Sequence, residues 1–196
     1  MAIEIRNLCK SFGTRRVLTD FSARLPEQGV VEISGRSGAG KTTLLRILMG
    51  LETADSGTIS GLSGRRLGAV FQEDRLLPHR SAVENVRFVC GAPEEQILSH
   101  LSQVGLAEQA RERVSRYSGG MKRRVAIVRA VMYPCDLLLL DEPFKGMDEE
   151  TRDQVAAYIR RECAGRLILL VSHDRDEARA LGASARLEIG GEAHEP

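Results

Sequence analysis

Ile3 and Ile5 alternate with charged residues and apolar side chains continue to Leu8, so Ile3 to Leu8 is predicted as a strand with one wet face. Phe21 to Leu25 and Val30 to Ser34 read the same way, and the last runs directly into a Gly-rich loop. The period then changes. From Lys41 to Met49 the spacing is helical, with Leu44, Leu45, Leu48 and Leu51 forming an apolar stripe and Gly50 ending it. Ser56-Gly57-Thr58 and Gly64 mark turns around short strands, and Leu67 to Phe71 is a further strand that ends at Gln72. Between Ser81 and Val114 the sequence is helical and charged, punctuated at Ala92-Pro93 and Gly105, and is predicted as an inserted lobe. Strand and helix alternate afterwards: a helix from Met121 to Met132, then Leu137 to Leu140 (strand), Asp148 to Arg161 (helix), Leu167 to Ser172 (strand) and Arg175 to Leu181 (helix). Alternation of this kind implies a mainly parallel sheet covered on both faces, hence an α/β fold. Gly190 to Pro196 reads as a loose tail.

Size and charge narrow the picture. The chain of 196 residues suits one domain, with 1–80 and 115–196 as the core and 81–114 as the helical lobe. A formal net charge of +1 gives no bulk electrostatic sign of a nucleic-acid partner. Cys9, Cys90, Cys135 and Cys163 are scattered without a C-x-x-C pair, which argues against a zinc site or disulfide framework and suits a reducing compartment. The longest apolar runs are far too short to span a bilayer, and the alternating start is not that of a signal peptide.

The chemistry lies in two stretches. Gly35-Arg36-Ser37-Gly38-Ala39-Gly40-Lys41-Thr42 fits the phosphate-loop pattern G-x-x-x-x-G-K-[ST] at every position. Gly35, Gly38 and Gly40 let the backbone curl so that amides, including that of Ser37, face a triphosphate, and the following helix adds its positive end. Lys41 is expected to reach the β- and γ-phosphates, Thr42 to ligate Mg²⁺ and Thr43 to lie near the α-phosphate. The apolar run Leu137 to Leu140 delivers Asp141 and Glu142 to a strand end, where ligands bind in such sheets. Asp141 fits a Mg²⁺ partner, and Glu142, expected to point the other way, fits a base that orients or deprotonates water. Gln72 and His173 end two other strands at the same rim. The second stretch is Ser118-Gly119-Gly120-Met121-Lys122-Arg123-Arg124. Ser118 is a natural N-cap, and the glycines leave amides open to an anion. Lys122-Arg123-Arg124 reads as a solvated helix face, with a nucleic-acid patch as the rival reading.

From Phe12 to His173, these motifs in this order resemble the ATP-binding cassette (ABC) family, the ATPase subunits of membrane transporters. The branch they look most like serves nitrate, sulfonate and taurine importers; Glu142-Pro143-Phe144-Lys145-Gly146 and Phe71 to Pro78 point that way. The resemblance implies a P-loop NTPase core, an N-terminal antiparallel β subdomain and an inserted α-helical subdomain. It further implies ATP and Mg²⁺ as ligands, Gln72 sensing Mg²⁺ and attacking water, and His173 bonding the γ-phosphate. Phe12 would stack on adenine, a core role being its rival. Ser118, Gly119 and Gly120 would serve the ATP of a second copy, and Asp148, in a D-loop, would link the two sites. Implied partners are that second copy, transmembrane permease subunits and a separate solute-binding protein, with no nucleic acid; the place is the cytoplasmic face of the cell membrane. The segment after Gln72, with Asp74, Arg75 and Leu76, would receive a permease loop. The rival function is a soluble ABC ATPase acting on ribosomes, DNA or iron–sulfur assembly. Tyr117, Met121 and Lys145 depart from the usual residues of the family without removing a phosphate or metal contact.

Overall fold

The computed structural model describes residues 2–190; beyond Gly190, the expected tail lies outside them. The strands are β1 (Ile3–Phe12), β2 (Arg15–Leu25), β3 (Gly29–Ser34), β4 (Ser56–Ser60), β5 (Leu67–Val70), β6 (Leu137–Asp141), β7 (Leu167–Val171) and β8 (Ala185–Glu188). The helices are α1 (Lys41–Leu48), α2 (Ala82–Cys90), α3 (Glu94–Gln103), α4 (Gly119–Met132), α5 (Glu149–Glu162) and α6 (Arg175–Leu181).

Two sheets organise them. An antiparallel sheet has the order β2-β1-β4, and a parallel sheet has the order β5-β6-β7-β3-β8. The parallel sheet explains the uninterrupted apolar runs of β6 and β7, because successive side chains on a strand point to opposite faces and both faces are buried. Leu137, Leu139, Leu167, Leu169 and Val171 join Val31 and Ile33 in a core shared with α1 and the antiparallel sheet. Their neighbours Leu138, Leu140, Ile168 and Leu170 face the other way, into a core shared with α2 to α6. One sheet therefore divides the molecule into two cores, and the ends of its strands form the rim between them.

Several elements differ from expectation. β1 and β2 run on to Phe12 and back to Arg15, forming a longer hairpin than the apolar residues alone suggest, since much of β2 is exposed. Leu51 is 49% exposed rather than part of the α1 stripe, because α1 ends at Leu48. β8 was not visible in the sequence; it is a mostly exposed edge strand with only Leu187 turned partly inward. The lobe expected over 81–114 contains α2 and α3, split at Gly91-Ala92-Pro93, and α2 packs on α4. Its first helix opens with a capping box, in which Ser81 Oγ accepts from Glu84 N and Glu84 Oε2 accepts from Ser81 N.

Candidate active site

The C-terminal ends of β3, β5, β6 and β7 surround a cavity of about 480 Å³. Of the expected site residues, Phe12, Ser37, Gly38, Gly40, Lys41, Thr42, Thr43, Gln72, Asp141, Glu142 and His173 line it. Gly35 stands behind the wall: a Cβ there would lie 2.5 Å from the Ile189 carbonyl oxygen, so the loop's close packing on the end of β8 requires glycine.

The phosphate loop is held open by its own backbone. α1 is entered through Gly40 in the left-handed region (φ 103), and no side chain caps its first amides. Lys41, 6% exposed, donates from Nζ to the carbonyl oxygens of Gly35 at 2.7 Å and Arg36 at 3.0 Å. Those bonds bridge the loop and satisfy a buried ammonium. Thr42 Oγ1 donates to Asp141 Oδ2 at 2.9 Å, joining the start of α1 to the end of β6.

Asp141 is 5% exposed, and burial pushes its carboxyl above the usual range. Glu142 on the same side adds to that push, whereas the Thr42 hydrogen bond and the Arg123 and Lys41 charges oppose it. The net direction is upward, so desolvation wins. Glu142 departs from strand alternation. Its φ of 50 is left-handed, held by its N–H donating to the Val171 carbonyl at 2.9 Å, and the turn brings Asp141 and Glu142 into one cavity instead of onto opposite faces. A non-glycine residue in that region costs about 1–3 kcal/mol, so the neighbouring contacts must impose it. Glu142 Oε1 lies 3.2 Å from His173 Nε2, and Oε2 lies 3.5 Å from the exposed Lys145 Nζ. The Lys145 contact contributes little, because water screens it.

Phe12 is 49% exposed on the cavity wall and so is not a core residue. Three further cavity residues, Arg15, Val17 and Val171, were not among the site residues read from the sequence. The hairpin pairs Phe12 with Arg15, which sets Arg15 across from the aromatic ring, and its guanidinium donates to the Gly38 carbonyl at 3.1 Å. The signal was a two-residue turn, Gly13-Thr14, after Phe12; the exposed polar residues beyond it hid the strand.

Ser118, Gly119, Gly120 and Asp148 are not in the cavity of this chain. Ser118 and Gly119 are exposed at the start of α4, and Ser118 Oγ accepts from Met121 N at 3.2 Å. Gly120 packs on the loop before α5; a Cβ would meet the Gly146 carbonyl oxygen at 2.9 Å. Asp148 caps α5, its carboxylate accepting from the amide and hydroxyl of Thr151 at 2.8 and 3.1 Å. The Thr151 amide bond is the main reason its carboxyl titrates below the usual range. Tyr117 is buried, with its hydroxyl donating to the Gln109 carbonyl and burial pushing its pKa up to about 12.

The reading of Lys122-Arg123-Arg124 as a solvated face is corrected. Arg123 is 4% exposed and donates to the carbonyls of Phe71 and Gln72, the latter at 2.7 Å. Arg124 donates to the Val104 carbonyl at 2.7 Å. Neither guanidinium is presented as part of a nucleic-acid patch. Asp74 and Leu76 also turn inward, Asp74 Oδ1 lying 3.2 Å from Arg123 and Leu76 packing on a core, so Asp74 and Leu76 do not present the surface expected of them.

A phosphate loop, two carboxylates ending the next strand but one in the sheet, and a Ser-Gly-Gly helix start define an ABC ATPase, and the chain belongs to the ABC transporter family: the family model for ABC transporters matches residues 18–145. It is an ATP-binding subunit whose ATP hydrolysis is coupled to transport. Among its relatives, it is 42% identical over 188 residues to the aliphatic sulfonates import ATP-binding protein SsuB 3 of Pseudomonas savastanoi pv. phaseolicola, covering 91% of this chain and 70% of that protein. SsuB 2 of Pseudomonas fluorescens is 39% identical over 199 residues (97% and 74%), and SsuB of Yersinia pestis is 41% identical over 190 residues (91% and 69%). Identity of about 40% to import ATP-binding proteins over at least nine-tenths of the chain sets aside the rival of a soluble ATPase for ribosomes, DNA or iron–sulfur assembly. No helix among the described residues is long and apolar enough to cross a membrane.

Proposed function

We propose that two copies of the chain share two ATP sites, that Mg²⁺ serves each site, and that the resulting cycle drives import of aliphatic sulfonates through separate permease subunits. One observation carries this reading: Lys41, Thr42, Asp141, Glu142 and His173 line one cavity, while the second phosphate-binding turn, Ser118 to Gly120, lies outside it and exposed. A helix start whose first amides lie exposed suits an anion, and the ATP of a second copy, approached head to tail, would supply one.

Within one site, Phe12 stacks on adenine, the amides of Gly35, Ser37, Gly38 and Gly40 surround the phosphates, and Thr43 lies near the α-phosphate. Lys41 leaves its two carbonyls for the β- and γ-phosphates. The residues present fit Mg²⁺. The Thr42 hydroxyl retains lone pairs for an ion, Asp141 is a buried carboxylate whose charge a cation would stabilise, and Gln72 offers a hard oxygen at the same wall. Among the described residues no cluster of three or more His, Cys, Asp or Glu could hold a metal. Mg²⁺ takes one or two carboxylates and completes its shell with water and substrate phosphates. An ion held by Thr42, Asp141 and Gln72 would neutralise charge developing on the phosphates. Glu142 orients or deprotonates the attacking water, and His173, beside it, bonds the γ-phosphate. Asp148 links the two sites across the dimer.

The exposed side chains of Arg75, Leu77, Phe88 and Val89, close to Gln72 in sequence or on the adjoining helix α2, offer the permease its contact. Phe88 is 81% exposed, an apolar surface that a membrane partner would cover. The complex sits on the cytoplasmic face of the membrane, with a separate solute-binding protein on the other side and no nucleic acid. The names of the relatives motivate the cargo; an assembled complex stimulated by another anion but not by an alkanesulfonate would reassign it.

The test of the shared site mixes two variants. Ser118→Arg in one subunit and Lys41→Ala in another each break both sites of a pure dimer. Their mixed dimer rebuilds one, which should trap about one nucleotide per dimer by the geometry of a two-fold assembly. No trapped nucleotide in mixed dimers that demonstrably form would remove the trans role of Ser118 to Gly120.

A further inference from the structure

We propose that Arg123, on α4, is a positioning residue for Gln72, tying the reach of the Gln72 side chain into the cavity to the placement of α4. The proposal rests on the reading above in which Gln72 acts on water and Mg²⁺.

The chain leaves β5 at Val70, and residues 71–76 cross from the parallel sheet towards α2 without regular structure. Such a segment is ordinarily mobile, because its carbonyls have no ladder to bond. Here α4 supplies the missing donors. Arg123 donates to Phe71 and Gln72, and Arg129 donates to the carbonyls of Asp74 at 2.9 Å and Arg75 at 2.7 Å. The Asp74 carboxylate lies 3.2 Å from the Arg123 guanidinium. Within the segment, Arg75 adopts a φ of 47 and lays its guanidinium 3.8 Å above the Phe71 ring. Four of the five carbonyls from Phe71 to Arg75, all but that of Glu73, are thus fixed to a single helix.

Arg123 is suited to this in a way that other cations are not. Its planar fork sends two nitrogens to the carbonyls of adjacent residues, whereas a lysine ammonium is a point charge. Burying a guanidinium is unfavourable unless it is paired and bonded, and at 4% exposure Arg123 is both. Gln72 is exposed and lines the nucleotide cavity as well as a second one behind it, shared with Arg46, Met49 and Arg75. Its side chain therefore stands between two spaces, and the backbone held by Arg123 decides which it enters. The same helix begins at Ser118, so a shift of α4 when its start meets the second copy's ATP carries Gln72 with it.

The experiment compares Arg123→Lys, Gln72→Ala and the double variant in the full chain. Steady-state hydrolysis is measured beside deuterium uptake of nucleotide-free protein. Arg123→Lys should lower kcat about tenfold, the equivalent of about 1.4 kcal/mol, with KM changed less than about twofold. Uptake should rise over residues 71–76 and stay unchanged in β6 and β7. The double variant should be no slower than Gln72→Ala alone, because Arg123 acts through that residue. Asp74→Asn, which keeps the size of its side chain and leaves Arg123 in place, should move kcat in the same direction by less. If Gln72→Ala slows hydrolysis while Arg123→Lys does not, or if the two losses multiply, the positioning role is overturned and the reading of Gln72 stands. Uptake rising throughout the molecule would also overturn it, by making Arg123 a general stabiliser. A silent Gln72→Ala would overturn the reading of Gln72 itself.

Discussion

Two helices in this chain start on turns of glycine and small residues, and they start differently. α1 is entered through Gly40 with no side-chain cap, and its first lysine is folded back onto the loop carbonyls. α4 is entered through Ser118, whose hydroxyl already serves the Met121 amide, and its second residue is packed on the Gly146 carbonyl. The first terminus opens on a cavity with carboxylates, a histidine and an aromatic ring around it; the second faces outward. A helix N-terminus alone thus says little about what it binds. What distinguishes these two is how much of the surrounding chemistry the same chain provides.

The largest expected effect bears on the terminus that is complete. Glu142→Gln should retain ATP binding and slow turnover by about two to four orders of magnitude, the range for loss of a general base. Hydrolysis at the wild-type rate would show that the cavity holds its water without Glu142. Next is Lys41→Ala. Loss of a charged donor to the phosphates should weaken ATP binding about 10- to 100-fold by calorimetry, as removal of a charge-assisted hydrogen bond of about 1.5–3 kcal/mol implies. Near-native affinity would mean that the α1 amides suffice, and the contrast with α4 would shrink. The smallest effect belongs to the capped terminus. Ser118→Ala should lower the unfolding free energy of the nucleotide-free protein by about 1 kcal/mol, the usual worth of such a cap. Denaturant curves that superimpose would show that the two helices start alike after all.

Sequence reading reached the α1 side of this comparison further than the α4 side, for a physical reason. A phosphate loop is built from consecutive residues, so the fit from Gly35 to Thr42 carries its own geometry. Leu137 to Leu140 and Leu167 to Val171 were equally plain, because a strand buried on both faces has no polar positions to confuse it. Arg123 was illegible: charge predicts solvent, and the carbonyls that hold it belong to Phe71 and Gln72, 52 and 51 residues earlier in the chain. β2 and β8 were partly or wholly missed because they are edge strands with many exposed positions: the first half of β2 buries only Leu18 fully, and β8 turns only Leu187 partly inward. The left-handed Glu142 was missed because nothing but the Val171 carbonyl and the turn at the end of β6 dictates it.

The strand order has a bearing on how the protein is made. β3 delivers the phosphate loop, yet its neighbours in the sheet are β7 and β8, and Gly35 rests on the carbonyl of Ile189. The part of the chain that holds ATP emerges early during synthesis and waits for the part that supports it, since pairing between distant strands is slow and the closure must be paid for before it is rewarded. Nascent chains stalled before Leu167 should therefore fail to retain ATP although they contain every residue of the loop, and chains extended past Gly190 should retain it. Until that point β3 is a bare hydrophobic edge, a surface for chaperones or for aggregation, and the ability to bind nucleotide reports that the last strands have arrived.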